Sequence, residues 1–214
     1  MDCCQCRGIE DQFNRAEAAR KLREYRRAGP TRTTKLLLDA LMREPVAGLT
    51  LLDIGGGVGS IQHALLKAGA ATATSVEAST AYLGVAREEA ARQGHAERIT
   101  YHHGNFVDIA GTLPPADIVT LDRVICCYHD MPTLVERSSA KAVRLYGLVY
   151  PRDTWWVRAG VRAGNALMWL QRCTFRIFAH SSAAVDAIVR RNGLQQRFAR
   201  NAGPWQVVVY ERAE

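Results

Sequence analysis

One stretch constrains the fold more than any other: Leu51-Leu52-Asp53-Ile54-Gly55-Gly56-Gly57-Val58-Gly59-Ser60. The apolar run from Leu49 to Ile54 reads as a buried strand, and it passes straight into a glycine-rich turn. Acidic Asp53 sits at the strand end, and Ile61 to Ala68 is patterned as a helix. Glycines let the backbone turn tightly and approach a ligand with no side chain in the way. The helix that follows offers unsatisfied N–H groups to an anionic ligand group. This is a nucleotide-type cradle at the first β-α turn of a doubly wound sheet.

Spacing narrows the ligand. In the dinucleotide fingerprint G-x-G-x-x-G, Gly55 and Gly57 fill the first two places, but the third falls on Ser60. The pattern that fits is Asp-x-Gly-x-Gly-x-Gly, on Asp53, Gly55, Gly57 and Gly59. Here the chain resembles the class I S-adenosylmethionine (SAM) methyltransferases, whose first motif reads this way. SAM carries an ammonium and a sulfonium, so a strand-end carboxylate suits it by charge pairing. The resemblance implies SAM as cofactor. It also implies a Rossmann-like, doubly wound, mainly parallel seven-stranded sheet whose last strand is antiparallel.

The rest of the chain alternates accordingly. Its 214 residues suit one domain with a small cap. Helices are expected over 9–27 and, capped by Thr31, over Thr33–Met42, separated by Gly29-Pro30. Strands are expected at Thr50–Ile54, Ala73–Glu77, Ile99–His103, Ile118–Leu121 and Gly147–Tyr150. Helices fall between them at Ser60–Lys67, from the Ser79 cap to about Gln93, before Leu113, and over Thr133–Val143. Such alternation implies a parallel sheet with right-handed crossovers. Residues 154–172 read as a tryptophan-rich helix, Ser181 or Ser182 caps another through Arg191, and Gln196–Arg200 and Gln206–Glu211 read as a terminal hairpin. We therefore expect an N-terminal helical lid over 1–44 and a SAM-binding domain over 45–214, carrying an aromatic, arginine-rich insert at 152–180.

Candidate site residues follow the strand ends. Glu77 ends the second strand 22 residues after Gly55, where a carboxylate can accept both ribose hydroxyls. It is followed by Ala78. After the third strand comes Gly104-Asn105-Phe106. In the family an Asp or Asn here bonds the adenine amino group and its neighbour packs on the ring, which the resemblance assigns to Asn105 and Phe106. Asp117 to Ile125 resembles the fourth motif and sets Asp122 beside the methyl group. Asp53, Gly55, Gly56, Gly57, Glu77, Ala78, Asn105, Phe106 and Asp122, with Tyr25 reaching from the lid, make the expected cofactor set. Next to Asp122 the polar patch Cys126-Cys127-Tyr128-His129-Asp130 holds the candidate catalytic groups. His129 can take a proton near neutral pH, oriented by Asp130 or Tyr128. Methyl transfer from a sulfonium also runs without a base, because aligning acceptor and methyl can itself supply roughly 7 to 11 kcal/mol.

The acceptor is signalled at 152–180. Trp155, Trp156, Trp169, Phe175 and Phe178 alternate with Arg152, Arg158, Arg162, Arg172 and Arg176. This mixture suits a planar anionic small molecule or peripheral contact with a membrane surface, as well as a helix packed on the sheet. Phe175-Arg176-Ile177-Phe178-Ala179-His180 and Gly104-Asn105-Phe106-Val107-Asp108 resemble stretches of the magnesium-protoporphyrin O-methyltransferases. Transfer to oxygen of a small molecule is the favoured activity. Transfer to nitrogen, or to a thiol or soft metalloid held by Cys126-Cys127, stays open, as does an NAD-binding, dehydrogenase-like protein.

Charge and cysteines exclude little and add little. The net charge is +7, from 28 basic and 21 acidic residues, mostly scattered arginines, and the dense stretch Arg15–Lys35 reads as a solvated helix face. Leu121-Asp122-Arg123-Val124 stands where base methylators often carry Asn-Pro-Pro-Tyr-type signatures, so no nucleic-acid partner is expected. Cys3, Cys4 and Cys6 lack zinc-site spacing, and no metal is expected. No apolar run reaches the roughly 18 to 20 residues of a membrane span, and the first residues do not read as a secretory signal. A cytoplasmic protein is the expectation.

Overall fold

The computed structural model describes residues 4–213, with side chains from Gly8 onward. The expected metal-free trio therefore lies at its margin: Cys3 is outside the described residues, as are the side chains of Cys4 and Cys6. Strand β1 (Thr50–Ile54) is central in a seven-stranded sheet. The others are β2 (Thr72–Glu77), β3 (Ile99–His103), β4 (Ala116–Asp122), β5 (Ala142–Pro151), β6 (Leu194–Ala202) and β7 (Trp205–Arg212). Their order is β3-β2-β1-β4-β5-β7-β6. The first five pair in parallel, and β7 runs antiparallel between β5 and β6. This is the mainly parallel sheet with an antiparallel last strand that the methyltransferase resemblance implied.

Alternate residues of the central strands feed two cores, as strands covered on both faces require. Leu52 and Ile54 join Val119, Leu121, Leu134, Val135, Val185 and Val189 on one face. Leu51 joins Leu37, Leu41, Leu65, Ile118, Val149 and Val209 on the other. The first face is covered by α6 (Phe106–Ile109), α7 (Met131–Ala140) and α9 (Ser182–Arg191), the second by α3 (Arg32–Leu41), α4 (Ser60–Lys67) and α5 (Thr80–Gln93). Gly147 of β5 makes the α3 contact possible. A Cβ there would stand 2.9 Å from a methyl of Leu37.

Several boundaries differ from those expected. The helix foreseen over 9–27 is two, α1 (Cys4–Gln12) and α2 (Arg15–Ala28). The break is at Asn14, whose side-chain oxygen accepts the amides of Ala16 and Glu17 and so starts a new helix. Strand β5 begins at Ala142, where helix was expected to Val143. Ala142 pairs with Ala116, and its carbonyl accepts the Arg212 guanidinium, so tertiary pairing claims the residue. Strand β6 reaches back to Leu194 because β7 is long enough to pair there, Leu194 with Arg212.

Helix α8 (Trp155–Leu170) follows β5, and Val157 is its one buried side chain. The irregular segment after it folds back on the molecule. The Ile177 amide donates to Asn165 Oδ1 (2.9 Å), the Phe178 amide donates to the Cys126 carbonyl (2.8 Å), and the Phe175 ring meets Phe13 edge-on at 5.5 Å. No helix among the described residues is long and apolar enough to cross a membrane.

Candidate active site

The chain order reverses between β1 and β4, the switch point where open α/β sheets leave a crevice at the carboxyl ends of their strands. A cavity of about 650 Å³ opens there. Its base is the glycine turn. Gly55, Gly57 and Gly59 have φ of 65°, 58° and 80°, values that glycine adopts without strain. Gly56 is needed for space, since its Cβ would stand 2.4 Å from Gln62 Nε2 and 2.5 Å from Asp53 Oδ2. Helix α4 starts from Gly59 with no side-chain cap, and Ser60 and Ile61 of its first turn line the cavity. Its amides are thus available to an anionic group.

Three carboxylates surround this turn. Asp53 is buried, its Oδ1 accepting from Thr120 Oγ1 (2.7 Å) and its Oδ2 from Gln62 Nε2 (3.0 Å). Burial pushes its pKa up to about 7 against the pull of those two donors, and Asp122 and Glu77 add a like-charge push. Glu77 is buried and its carboxyl is likewise raised by burial, opposed by the amides of Ser79 (3.0 Å) and Gly57 (3.1 Å) that its two oxygens accept. Asp122 is raised by burial, opposed by Arg123 and by Thr34 of α3, whose hydroxyl donates to Oδ2 at 2.6 Å. Its Oδ1 is buried without a hydrogen-bond partner, 3.6 Å from Arg123 Nε. A cavity that penalises three carboxylates is one that a cation relieves.

The roof carries more cations than acids. Helices α1 to α3 lie over the cavity, and Arg27, Arg32 and Lys35 line it together with Arg123 from the β4 end, while Glu17 and Glu24 of α2, which also line it, are paired with Arg20 and Lys21. Arg123 stands in the left-handed region at φ 63°, donates to the hydroxyls of Thr31 and Thr33, and lies 5.3 Å over the Trp205 ring. The roof is fixed by Ala18 and Leu22 packed with Val58 and Tyr82, by Arg26 Nε on Glu89 (2.8 Å), and by Ser79 Oγ on the Phe13 carbonyl (2.7 Å).

All ten residues expected to hold the cofactor line this one cavity: Asp53, Gly55, Gly56, Gly57, Glu77, Ala78, Asn105, Phe106, Asp122 and Tyr25. Asn105 caps α6 through its Oδ1 and donates from Nδ2 to the Tyr128 hydroxyl at 3.1 Å. The Tyr25 hydroxyl accepts from Gln93 (3.3 Å) and its ring stacks on His63. The candidate catalytic trio divides. Tyr128 lines the cavity with Cys127, whereas His129 and Asp130 are not among its lining residues. The His129 ring tilts against Tyr128, and Asp130 caps α7 by accepting the Thr133 amide, which lowers its pKa. Sequence reasoning missed Gln62, Thr120, Thr34 and Tyr82. The signal for Gln62 was a polar residue on the inward face of an apolar helix.

Residues 51–145 match the protein family described as a methyltransferase domain. Over that span, a little under half of the chain, the sequence is similar to methyltransferase domains. Domains of this kind draw their methyl group from SAM. No curated protein matches the sequence. Among solved structures, the magnesium protoporphyrin IX methyltransferase (ChlM) of Synechocystis PCC 6803 with bound SAH superposes with a TM-score of 0.74 at 18% identity, over 98% of this chain and 100% of that one. An O-methyltransferase family protein from Burkholderia thailandensis gives 0.72 at 15% identity, over 97% of this chain and 62% of that one. The mitomycin 7-O-methyltransferase MmcR gives 0.61 at 22%, over 85% and 54%. At these identities the likeness is one of fold, and it extends beyond the matched methyltransferase segment to the helices before it and the hairpin after it.

Proposed function

We propose that the chain transfers the methyl group of SAM to an oxygen of a small, planar, anionic acceptor. The observation that carries this reading is the division of charge in one cavity: Asp53, Glu77 and Asp122 at the sheet, and at the roof Arg27, Arg32, Lys35 and Arg123, beside Glu17 and Glu24 that Arg20 and Lys21 already neutralise. The carboxylate side suits a cationic cofactor and the guanidinium side an anionic acceptor. The fit to SAM rests on the orphaned Asp122 Oδ1, a buried acceptor that an ammonium satisfies. SAM supplies a methyl already activated on a sulfonium, which an acceptor oxygen takes by in-line displacement.

The remaining work belongs to this chain's residues. Glu77 accepts from the ribose hydroxyls, Phe106 packs on the adenine, Asn105 bonds its amino edge, and Gly55 to Gly57 with Ala78 admit the cofactor backbone closely. Tyr25 closes the lid side. Tyr128, held by Asn105, borders the acceptor space. His129 and Asp130 stand outside the lining, which favours a carboxylate acceptor, since a carboxylate needs no base. Retention of activity by Cys126→Ser/Cys127→Ser is expected and would set the soft-metalloid reading aside.

The structural neighbour that methylates magnesium protoporphyrin makes that dicarboxylate the first acceptor to try. Product mass after incubation with SAM is the test. One methyl gained on the porphyrin, or on another planar carboxylate, with matching S-adenosylhomocysteine, supports the reading. Transfer confined to nitrogen or thiol acceptors overturns the oxygen assignment.

A further inference from the structure

Seven large apolar side chains are exposed among the described residues, and five of them lie on α8: Trp155, Trp156, Leu167, Trp169 and Leu170. The exposures are not marginal, at 81% for Trp155, 68% for Trp169 and 70% for Leu170. Successive residues of a helix turn by about 100°. On that wheel these five, with Ala159, Ala163 and Ala166, form one arc, interrupted only by Arg162. Val157, the buried residue, lies on the opposite side, with half-buried Val161 and Met168 beside it. The helix thus rests on the molecule by one apolar stripe and shows solvent a broader one, reversing the polarity of an ordinary surface helix.

Charge identifies what covers that face. Arg158 and Arg162, one turn apart and exposed, flank Trp169 at one edge of the arc, Arg158 also pairing with Asp153 at 2.5 Å, and exposed Arg172 follows the helix end. Asp153 is the one acidic residue from Arg152 through Val185, against five arginines. A protein partner's apolar groove would need no such border of cations. A bilayer carrying anionic headgroups matches both parts: tryptophan and leucine enter the acyl boundary, tryptophan rings settle at headgroup depth, and arginines reach up to phosphates. We propose that α8 lies in the plane of an anionic lipid surface and docks the enzyme there. The helix is anchored beside the active site through Asn165 on Ile177, Phe178 on the Cys126 carbonyl, and Phe175 on Phe13 of the roof. Docking therefore places roof and cavity wall next to the lipid. This inference stands whether or not the acceptor proposed above is right.

The experiment is co-sedimentation of the full chain with vesicles of phosphatidylcholine alone and of phosphatidylcholine mixed equally with phosphatidylglycerol, with tryptophan emission followed in parallel. Three of the four tryptophans are on α8, so insertion reports directly in fluorescence. The expected result is binding to the mixed vesicles with a blue shift, weakened by added salt. Trp155→Ser/Trp169→Ser/Leu170→Ser is expected to weaken it by about tenfold or more, and Arg158→Gln/Arg162→Gln to remove the preference for phosphatidylglycerol. All five positions are exposed, so melting temperature and SAM affinity should stay at wild-type values, which separates loss of docking from loss of fold. Absence of binding to both vesicle types overturns the proposal. So does binding that the apolar triple variant leaves unchanged. A dimer that this variant converts to monomer, without vesicle binding, also overturns it and assigns α8 to a second copy of the chain.

Discussion

Asp53 shows how far a single residue was legible. Its position before the glycines was visible in the chain, and so was Glu77 at the next strand end. Its environment was not. Register pairs Asp53 with Thr120 on one side and with Ser75 on the other, and Gln62 bonds both Asp53 and Ser75. These partners come from three other elements, β2, β4 and α4, and only the tertiary fold brings them together. The consequence is a pH dependence. The folded pKa, about 7, lies above the ordinary carboxylate value of 3.8, so the fold favours protonated Asp53. That contribution to stability is complete below the ordinary carboxylate range and is lost as pH rises through about 7. A bound cation favours the ionised form instead. SAM affinity should therefore rise about tenfold per pH unit as the pH climbs toward 7, with proton release, and Asp53→Asn should flatten the profile. Calorimetry in buffers of different ionisation enthalpy checks this. A flat wild-type profile would mean that Asp53 does not sense the cofactor.

At the scale of elements, the central strands and α4, α5 and α9 were readable to within a residue or two, because each carries a clear period bounded by a turn or, for α5 and α9, by a serine cap. The N-terminal helices were not. One helical period runs across Phe13 and Asn14, and the break depends on Asn14 capping α2 while the Phe13 carbonyl accepts from Ser79. Asn14→Ala should cost about 1 kcal/mol. In a chain of this size that lowers the melting temperature by about 2 to 4 °C. Because α2 roofs the cavity, SAM should also dissociate faster from this variant. A melting temperature and off-rate equal to wild type would remove Asn14 from the account of the lid. The apolar and basic pattern of α8 was likewise plain in the sequence. Which of its faces met the protein was not, since a period alone does not distinguish a covered stripe from a bare one.

Across the whole molecule, the parallel sheet was foreshadowed by the βα alternation and its antiparallel end by the family resemblance, whereas the order of strands was not read from the sequence. The cavity at the β1/β4 switch point follows from that order, and so do the ten cofactor candidates gathered around it. His129 and Asp130 fell outside because a loop's direction is set by what it caps, here α7. A ligand bound only by the native state stabilises it by about 2.7 kcal/mol at a hundredfold excess over its Kd. SAM at that excess should thus raise the melting temperature by roughly 5 to 10 °C, and NADH should not. The most direct measurement is a calorimetric titration of SAM and of NADH into the wild-type chain and Gly57→Val. Gly57 has φ 58°, and the ring of Tyr82 stands 3.6 Å from where its Cβ would be, so valine strains the turn and fills the cradle. The account predicts SAM binding to wild type, no NADH binding, and loss of SAM binding in a variant that remains folded. NADH binding without SAM, or unchanged SAM affinity in Gly57→Val, would contradict it.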